Sequence, residues 1–110
     1  MLAHDGARLA GGCILTHTPT PEWDGKPGAA LYLHKLAVAR FAAGRGLGQR
    51  LLAESERHAT AQRLELLRLD CWDGNDVLRR YYRDAGFQEG DAVESYGYRV
   101  RLFEKRVAST

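Results

Sequence analysis

The segment over residues 42–52, AAGRGLGQRLL, sets three glycines at alternate positions, Gly44, Gly46 and Gly48, and then passes into a leucine-bearing helical pattern. Glycine is the costliest residue to order. A helix start, however, presents unpaired N–H groups and a partial positive charge, and glycines ahead of it let the backbone take positive φ and approach a ligand closely. That combination is a phosphate cradle. It is not a Walker loop, because Lys-Ser or Lys-Thr does not follow the last glycine. It is not G-x-G-x-x-G either, because the spacing is G-x-G-x-G. Taken alone, the loop leaves two readings open: anion binding, or glycines that serve packing only.

Other chemistries have little support. The two cysteines, Cys13 and Cys71, make no disulfide framework and no metal-site spacing, so reduced thiols in the cytoplasm are expected. The four histidines are scattered, and no metal is expected. A net charge of +2 over 110 residues is too weak to argue for nucleic acid. No apolar run is long enough to span a bilayer, and the first residues lack a signal-peptide layout.

The elements that must position the loop can be read from pattern. Asp5-Gly6 is a turn pair between two extended runs, the second over about residues 8–18 with a bend at Gly11-Gly12. Residues 19–28 hold all three prolines and form a loop. ALYLHKLAV, residues 30–38, is a strand whose apolar series slips by one residue between Leu33 and Leu36. A slip flips the faces of a strand, so either a bulge sits near His34-Lys35 or the strand is buried on both faces. Leu47, Leu51, Leu52, Ser55 and Ala59 then share one helical stripe, ending near Gln62. Residues 64–72, LELLRLDCW, read as a buried parallel strand. Asn75 is a helix N-cap, followed by an inward stripe of Val77, Leu78, Tyr81, Tyr82 and Ala85, with Arg79, Arg80 and Arg83 outside and Gly86 as a left-handed stop. The chain is extended from Phe87 onward, and Tyr96, Tyr98, Val100 and Leu102 alternate with Arg99 and Arg101. The order is β-β-β-α-β-α-β-β: one α+β domain over residues 1–110, with a mixed, mostly antiparallel sheet and one parallel βαβ unit.

Three segments in this order resemble the GNAT acetyltransferase superfamily: LHKLAVA as its bulged strand, GRGLGQRLL as its pyrophosphate loop and helix, and NDVLRRYYRDAGF as its Asn-to-Tyr helix closed by Gly-Phe. The resemblance covers roughly residues 31–87 and implies a GNAT-like acyl-CoA N-acyltransferase fold with a CoA-binding core at about residues 30–87. It further implies acetyl-CoA as co-substrate, no metal, and transfer of acetyl to a primary amine by direct attack. The main chain of Leu36, Ala37 and Val38 would line the pantetheine arm. Gly44, Arg45, Gly46, Leu47, Gly48 and Gln49 would bind the pyrophosphate. Asn75 would touch the CoA arm, and Tyr82 would stand near the sulfur and protonate the departing thiolate. By the same register Tyr81 is a core residue.

An ammonium cannot attack a thioester, so a base or a water chain must first take its proton. His34, at the expected bulge, and Asp70, near the end of the next strand, are the candidates; Glu22 and Asp24, in the proline-rich loop, are weaker ones. Trp23, Trp72 and Tyr96 are expected to pack in the core or on the surface, or else to line an apolar acceptor pocket. Two departures from the family pattern stand out. Ala43 occupies a position where the phosphate loop usually opens with Gln or Arg, and this chain begins at the hairpin, where members usually have a strand and two helices beforehand. The second departure implies a truncated piece, a homodimer whose other copy supplies the missing wall, or an open acceptor site. The alternative to an enzyme is a CoA-binding or regulatory module with little catalysis of its own. The acceptor is expected to be a small-molecule or peptide amine, with no nucleic acid and no membrane as partner.

Overall fold

The computed structural model describes residues 2–5, 8–38, 44 and 46–107. Its elements follow the expected order: β1 (Leu2–Asp5), β2 (Arg8–Thr16), a 3-10 turn (Pro21–Trp23), β3 (Ala30–Val38), α1 (Leu47–Ala61), β4 (Leu66–Trp72), α2 (Asp76–Asp84), β5 (Gln88–Ser95) and β6 (Tyr98–Arg106). The six strands form one sheet in the order β1-β2-β3-β4-β6-β5. The β3–β4 pair is parallel and the other four are antiparallel. Cys13 and Cys71 therefore stand on strands with β3 between them, and both are buried.

Alternation along the strands builds two cores. Leu31 and Leu33 of β3, Leu67, Leu69 and Cys71 of β4, and Phe103 of β6 meet Leu52 and Ala59 of α1 and Tyr82 of α2 on one face. On the other face, Ala30, Tyr32, Leu66, Val100 and Leu102 are covered by Trp23 from the loop over residues 19–28. Burying this apolar surface is the main drive for the fold, at about 25 cal/mol per Å².

The slip in β3 is a bulge. Gly12 of β2 pairs with Ala37 and Ile14 with His34, so two steps on β2 oppose three on β3. Lys35 absorbs the extra residue at φ 55°, a left-handed conformation uncommon for a side chain without a special role. Gly86 takes φ 94° just past α2, as a helix-ending glycine should.

Three expectations fail locally. Val77 does not join the inward stripe of α2; it is 82% exposed, because the second position of so short a helix lies at its open end. Tyr96 is not a strand residue. With Gly97 it makes the tight turn between β5 and β6, at φ 48°, and stands 91% exposed. Both turn residues have positive φ, which matches the twist of the flanking strands. Finally, β4 begins at Leu66 rather than residue 64, since Leu64 N still bonds to Ala59 O of α1 at 2.9 Å.

Candidate active site

The glycine loop ends in a helix start that no side chain caps. Gly46 is the N-cap of α1 at φ 73°, and Gly44 before it has φ 80°. The first intrahelical bond runs from Arg50 N to Gly46 O at 3.1 Å. The N–H groups of Leu47, Gly48 and Gln49 thus have no helical acceptor. They open on a cleft of 520 Å³ whose walls include Leu36 and Val38 of β3, Asn75, and Leu78 and Tyr81 of α2. Ala37, between the two β3 residues, pairs with Gly12. Arg45 and Ala43 lie outside the described residues, as do Gly6 and the turn it was expected to make.

The glycines answer to different constraints. A side chain on Gly46 would find open space, with Gln49 Oε1 at 3.7 Å, so its backbone conformation alone requires glycine. A side chain on Gly48 would overlap the Tyr81 hydroxyl, so its smallness lets α2 close against the first turn of α1. Asn75 both caps and lines. Its Oδ1 accepts the Leu78 N–H at 3.0 Å, which leaves its amide NH₂ for the cleft.

β3 lends Leu36 and Val38 to the cleft from its far end, past the stretch that pairs with β4. β3 and β4 pair only at Ala30–Leu66, Leu31–Leu67 and Tyr32–Arg68, although both strands run on. Beyond that point the strands diverge, beginning where the bulge re-aims β3. His34 and Asp70 stand two residues past the last pair, on the face opposite the helices. His34 Nε2 shares a hydrogen bond with Thr16 Oγ1 at 3.0 Å. Burial holds the Asp70 carboxyl above the usual carboxylate range; the charge of Glu22 pushes the same way, and His34 opposes both.

The two tyrosines of α2 both lie on the inward stripe but differ in burial. Tyr82 is 4% exposed, and its ring packs against Phe87 and Phe103 at centroid distances of 5.9 and 5.4 Å. Tyr81, expected in the core, lines the cleft. A nine-residue helix leaning on the sheet can bury fully only the side chain aimed at its centre, here Tyr82. Burial raises both phenols above their ordinary pKa, and for Tyr82 the neighbouring Cys71, Tyr81 and Asp70 push further in that direction. Both hydroxyls keep their protons at neutral pH.

Sequence reasoning missed Arg68, hidden inside an apolar run. It is 2% exposed. Its guanidinium bonds to Glu104 Oε2 at 2.8 Å, to Tyr32 Oη at 3.1 Å and to the carbonyls of Lys26 and Pro27, and it stacks over the Trp23 ring at 4.7 Å. Those contacts fix the proline-rich loop onto the sheet. The loop in turn delivers Glu22, whose Oε1 accepts the Ser95 hydroxyl at 2.6 Å. Glu22 was expected to be loosely held; only the tertiary contacts reveal that it is not. Of the three candidate pocket aromatics, Trp23 is core, while Trp72 and Tyr96 are exposed. Among the described residues no group of His, Cys, Asp and Glu is placed to hold a metal ion, and no helix is long and apolar enough to cross a membrane.

An αL-capped helix start facing a split parallel strand pair is an arrangement with known relatives. The profile of the Acetyltransferase (GNAT) family matches residues 1–87. A Bacillus subtilis (strain 168) protein named "Uncharacterized N-acetyltransferase YesJ" is 37% identical over 107 residues, covering 92% of this chain and 57% of that protein. The crystal structure of a GNAT-family acetyltransferase from Listeria monocytogenes superposes with a TM-score of 0.78 at 27% identity, over 94% of this chain and 60% of that one. A Bacillus subtilis acetyltransferase crystallised in complex with CoA shares the fold, with a TM-score of 0.75 at 15% identity over 97% of this chain and 75% of that one. The chain thus spans about three fifths of the first two relatives. With its motifs in order and its sheet split where the cleft meets the bulge, this chain belongs to the GNAT acetyltransferase family.

Proposed function

We propose that this chain forms the cofactor-binding core of an N-acetyltransferase that moves acetyl from acetyl-CoA to a primary amine by direct attack. The carrying observation is the uncapped start of α1, with Gly46 at positive φ, opening on a cleft walled by the end of β3 that no longer pairs with β4. The N–H groups of Leu47, Gly48 and Gln49, with Gly44 and Arg45 ahead of them, are suited to hold the pyrophosphate. The main chain of Leu36, Ala37 and Val38, paired with β2 but not with β4, suits the amide-bearing arm on its open side, and the Asn75 amide adds a donor beside it. The CoA-bound structural relative supports this use of the cleft.

When bound, acetyl-CoA supplies a thioester carbonyl for the amine and a thiolate as leaving group. Asp70 or His34, on the face opposite the helices, takes the proton from the incoming ammonium. Asp70 is suited to this by a pKa raised toward the working range. The departing thiolate takes its proton from Tyr82, as the family resemblance implies; its phenol stays protonated, but Tyr81 is the tyrosine that lines the cleft and is the rival donor. Cys71 is no nucleophile, since burial lifts its thiol to about 11. The acceptor is a small-molecule or peptide amine, and the buried thiols suit the cytoplasm.

Isothermal calorimetry with CoA and acetyl-CoA tests the reading. Heat of binding is expected, and none at high micromolar ligand would sink it. A second reading, a CoA-binding module with little catalysis of its own, draws on Tyr82, which is buried in the core and does not line the cleft. A thiol-release assay across an amine panel separates the two, since binding without turnover on any amine favours the module. Tyr82→Phe should lower kcat more than it weakens CoA binding. Because Tyr81 and not Tyr82 lines the cleft, Tyr81→Phe is measured beside it, and the larger fall in kcat identifies the donor.

A further inference from the structure

The helix-side cleft accounts for one face of the sheet. On the other face, His34 and Asp70 stand beyond the last β3–β4 pair, and Glu22 comes near enough for its charge to act on Asp70 and to feel that of His34. His34 and Asp70 are brought there by strand alternation beyond the Tyr32–Arg68 pair. Glu22 is brought there by the 3-10 turn, whose Trp23 is buried against Arg68. The Ser95 bond at 2.6 Å fixes one of its carboxylate oxygens. The other, Oε2, is buried with no donor at full hydrogen-bond distance among the described residues, and the nearby Thr20 hydroxyl helps Ser95 hold the carboxyl below its usual range.

The charge balance here is unusual for this chain. Six carboxylates among the described residues are partly buried: Glu22, Glu56, Asp70, Asp73, Glu89 and Glu104. Four have a Lys or Arg partner: Glu56 with Lys105, Asp73 with Arg101, Glu89 with Arg79, and Glu104 with Arg68. Only Glu22 and Asp70 have none among the described residues, in a chain that carries 16 Lys and Arg against 14 Asp and Glu. Two like charges left on one patch repel each other, a cost that a positively charged occupant removes. Trp72, on the same face two residues beyond Asp70, is 59% exposed and offers a flat apolar wall for a carbon chain.

We propose that Glu22 is a specificity residue of the acceptor site, and that it selects amines carrying a second cationic group. This rests on the acetyltransferase reading: Asp70 or His34 receives the proton of the reacting ammonium, and Glu22 holds the other one. The second ammonium donates charge-assisted hydrogen bonds to a carboxylate already oriented by Ser95. A diamine therefore gains over a monoamine of the same carbon chain.

The probes are 1,4-diaminobutane and n-butylamine, which differ only in that second ammonium. Steady-state acetylation and calorimetry on the CoA-loaded protein should both favour the diamine in the wild type by about tenfold or more. Glu22→Gln, which keeps the shape and an acceptor for Ser95, should cut the preference below about twofold while CoA affinity holds. Ser95→Ala should act in the same direction, more weakly. A further readout separates this from a structural role. The charges of Glu22 from the turn and His34 from β3 act on Asp70, with Cys71 beside it on β4 and Tyr82 on the helix side of the sheet, so removing the Glu22 charge should move the acid limb of the rate to lower pH. Equal binding of the two amines by the wild type, or equal losses for both in Glu22→Gln, overturns the assignment. If neither amine is acetylated while CoA still binds, the catalytic reading fails; a preference for the diamine in calorimetry that Glu22→Gln abolishes would still carry the assignment.

Discussion

The junction of α1 and α2 offers a stringent test, because one contact sets it. A methyl group on Gly48 would overlap the Tyr81 hydroxyl, while the ring carbon that bears this hydroxyl lies at 3.4 Å, near ordinary contact. Elsewhere in a helix, Gly→Ala stabilises by up to about 1 kcal/mol. Here the phenol must swing or α2 must shift, and overpacking of this kind costs about 1–3 kcal/mol. Gly48→Ala alone is therefore expected to destabilise. Tyr81→Phe removes the overlapping atom and, as its hydroxyl lines a cleft, should change stability little by itself. The double variant should recover the helix gain and exceed Tyr81→Phe in stability. Urea denaturation of the four proteins should give a coupling of about 2 kcal/mol, and additivity within about 0.5 kcal/mol would refute the contact. Gly46→Ala is the internal control. Its cost of about 1 kcal/mol comes from φ 73° and not from a neighbour, so Tyr81→Phe should not rescue it.

Other perturbations separate the roles assigned above. Asn75→Asp keeps the cap bond and should preserve Tm while weakening CoA binding, whereas Asn75→Ala should lose about 1 kcal/mol as well. Arg68→Ala leaves Glu104 without its buried partner and frees the proline-rich loop; a loss of about 3 kcal/mol or more is expected by thermal unfolding, with the acceptor KM rising further than that for acetyl-CoA. The acid limb of kcat/KM should lie above the ordinary carboxylate range if Asp70 is the base, and Asp70→Asn should abolish it. Cys71 holds its proton to about pH 11 when folded, against 9.0 for an ordinary thiol, so above pH 9 the unfolded chain loses its proton first. Stability should then decline with rising pH up to about 11, and Cys71→Ala should flatten that decline.

Much of the site was legible because its signals are local. The glycine spacing announces backbone that needs positive φ, and Gly44 and Gly46 have it. The phase slip between Leu33 and Leu36 announces a bulge, and Lys35 makes it. Asn75 and Gly86 mark the ends of α2 through hydrogen bonds and conformations confined to a few residues. These features need no distant partner, so a one-dimensional pattern records them.

What stayed hidden depends on which surfaces meet. The period of α2 puts Tyr81 and Tyr82 on one stripe; only the lean of a short helix sends Tyr82 into the core and Tyr81 to the cleft. Arg68 looks like an interruption in an apolar strand until Trp23, Tyr32 and Glu104 surround it. Glu22 looks like a solvated loop residue until Ser95, distant in sequence, takes hold of it. The sequence by itself determined the order of elements, the bulge and the glycine helix start, because each follows from short-range sterics and hydrogen bonding. The tertiary structure alone decided which tyrosine meets the cleft and which carboxylates stand unpaired at the gap, because burial and charge pairing belong to surfaces that exist only once the chain has closed on itself.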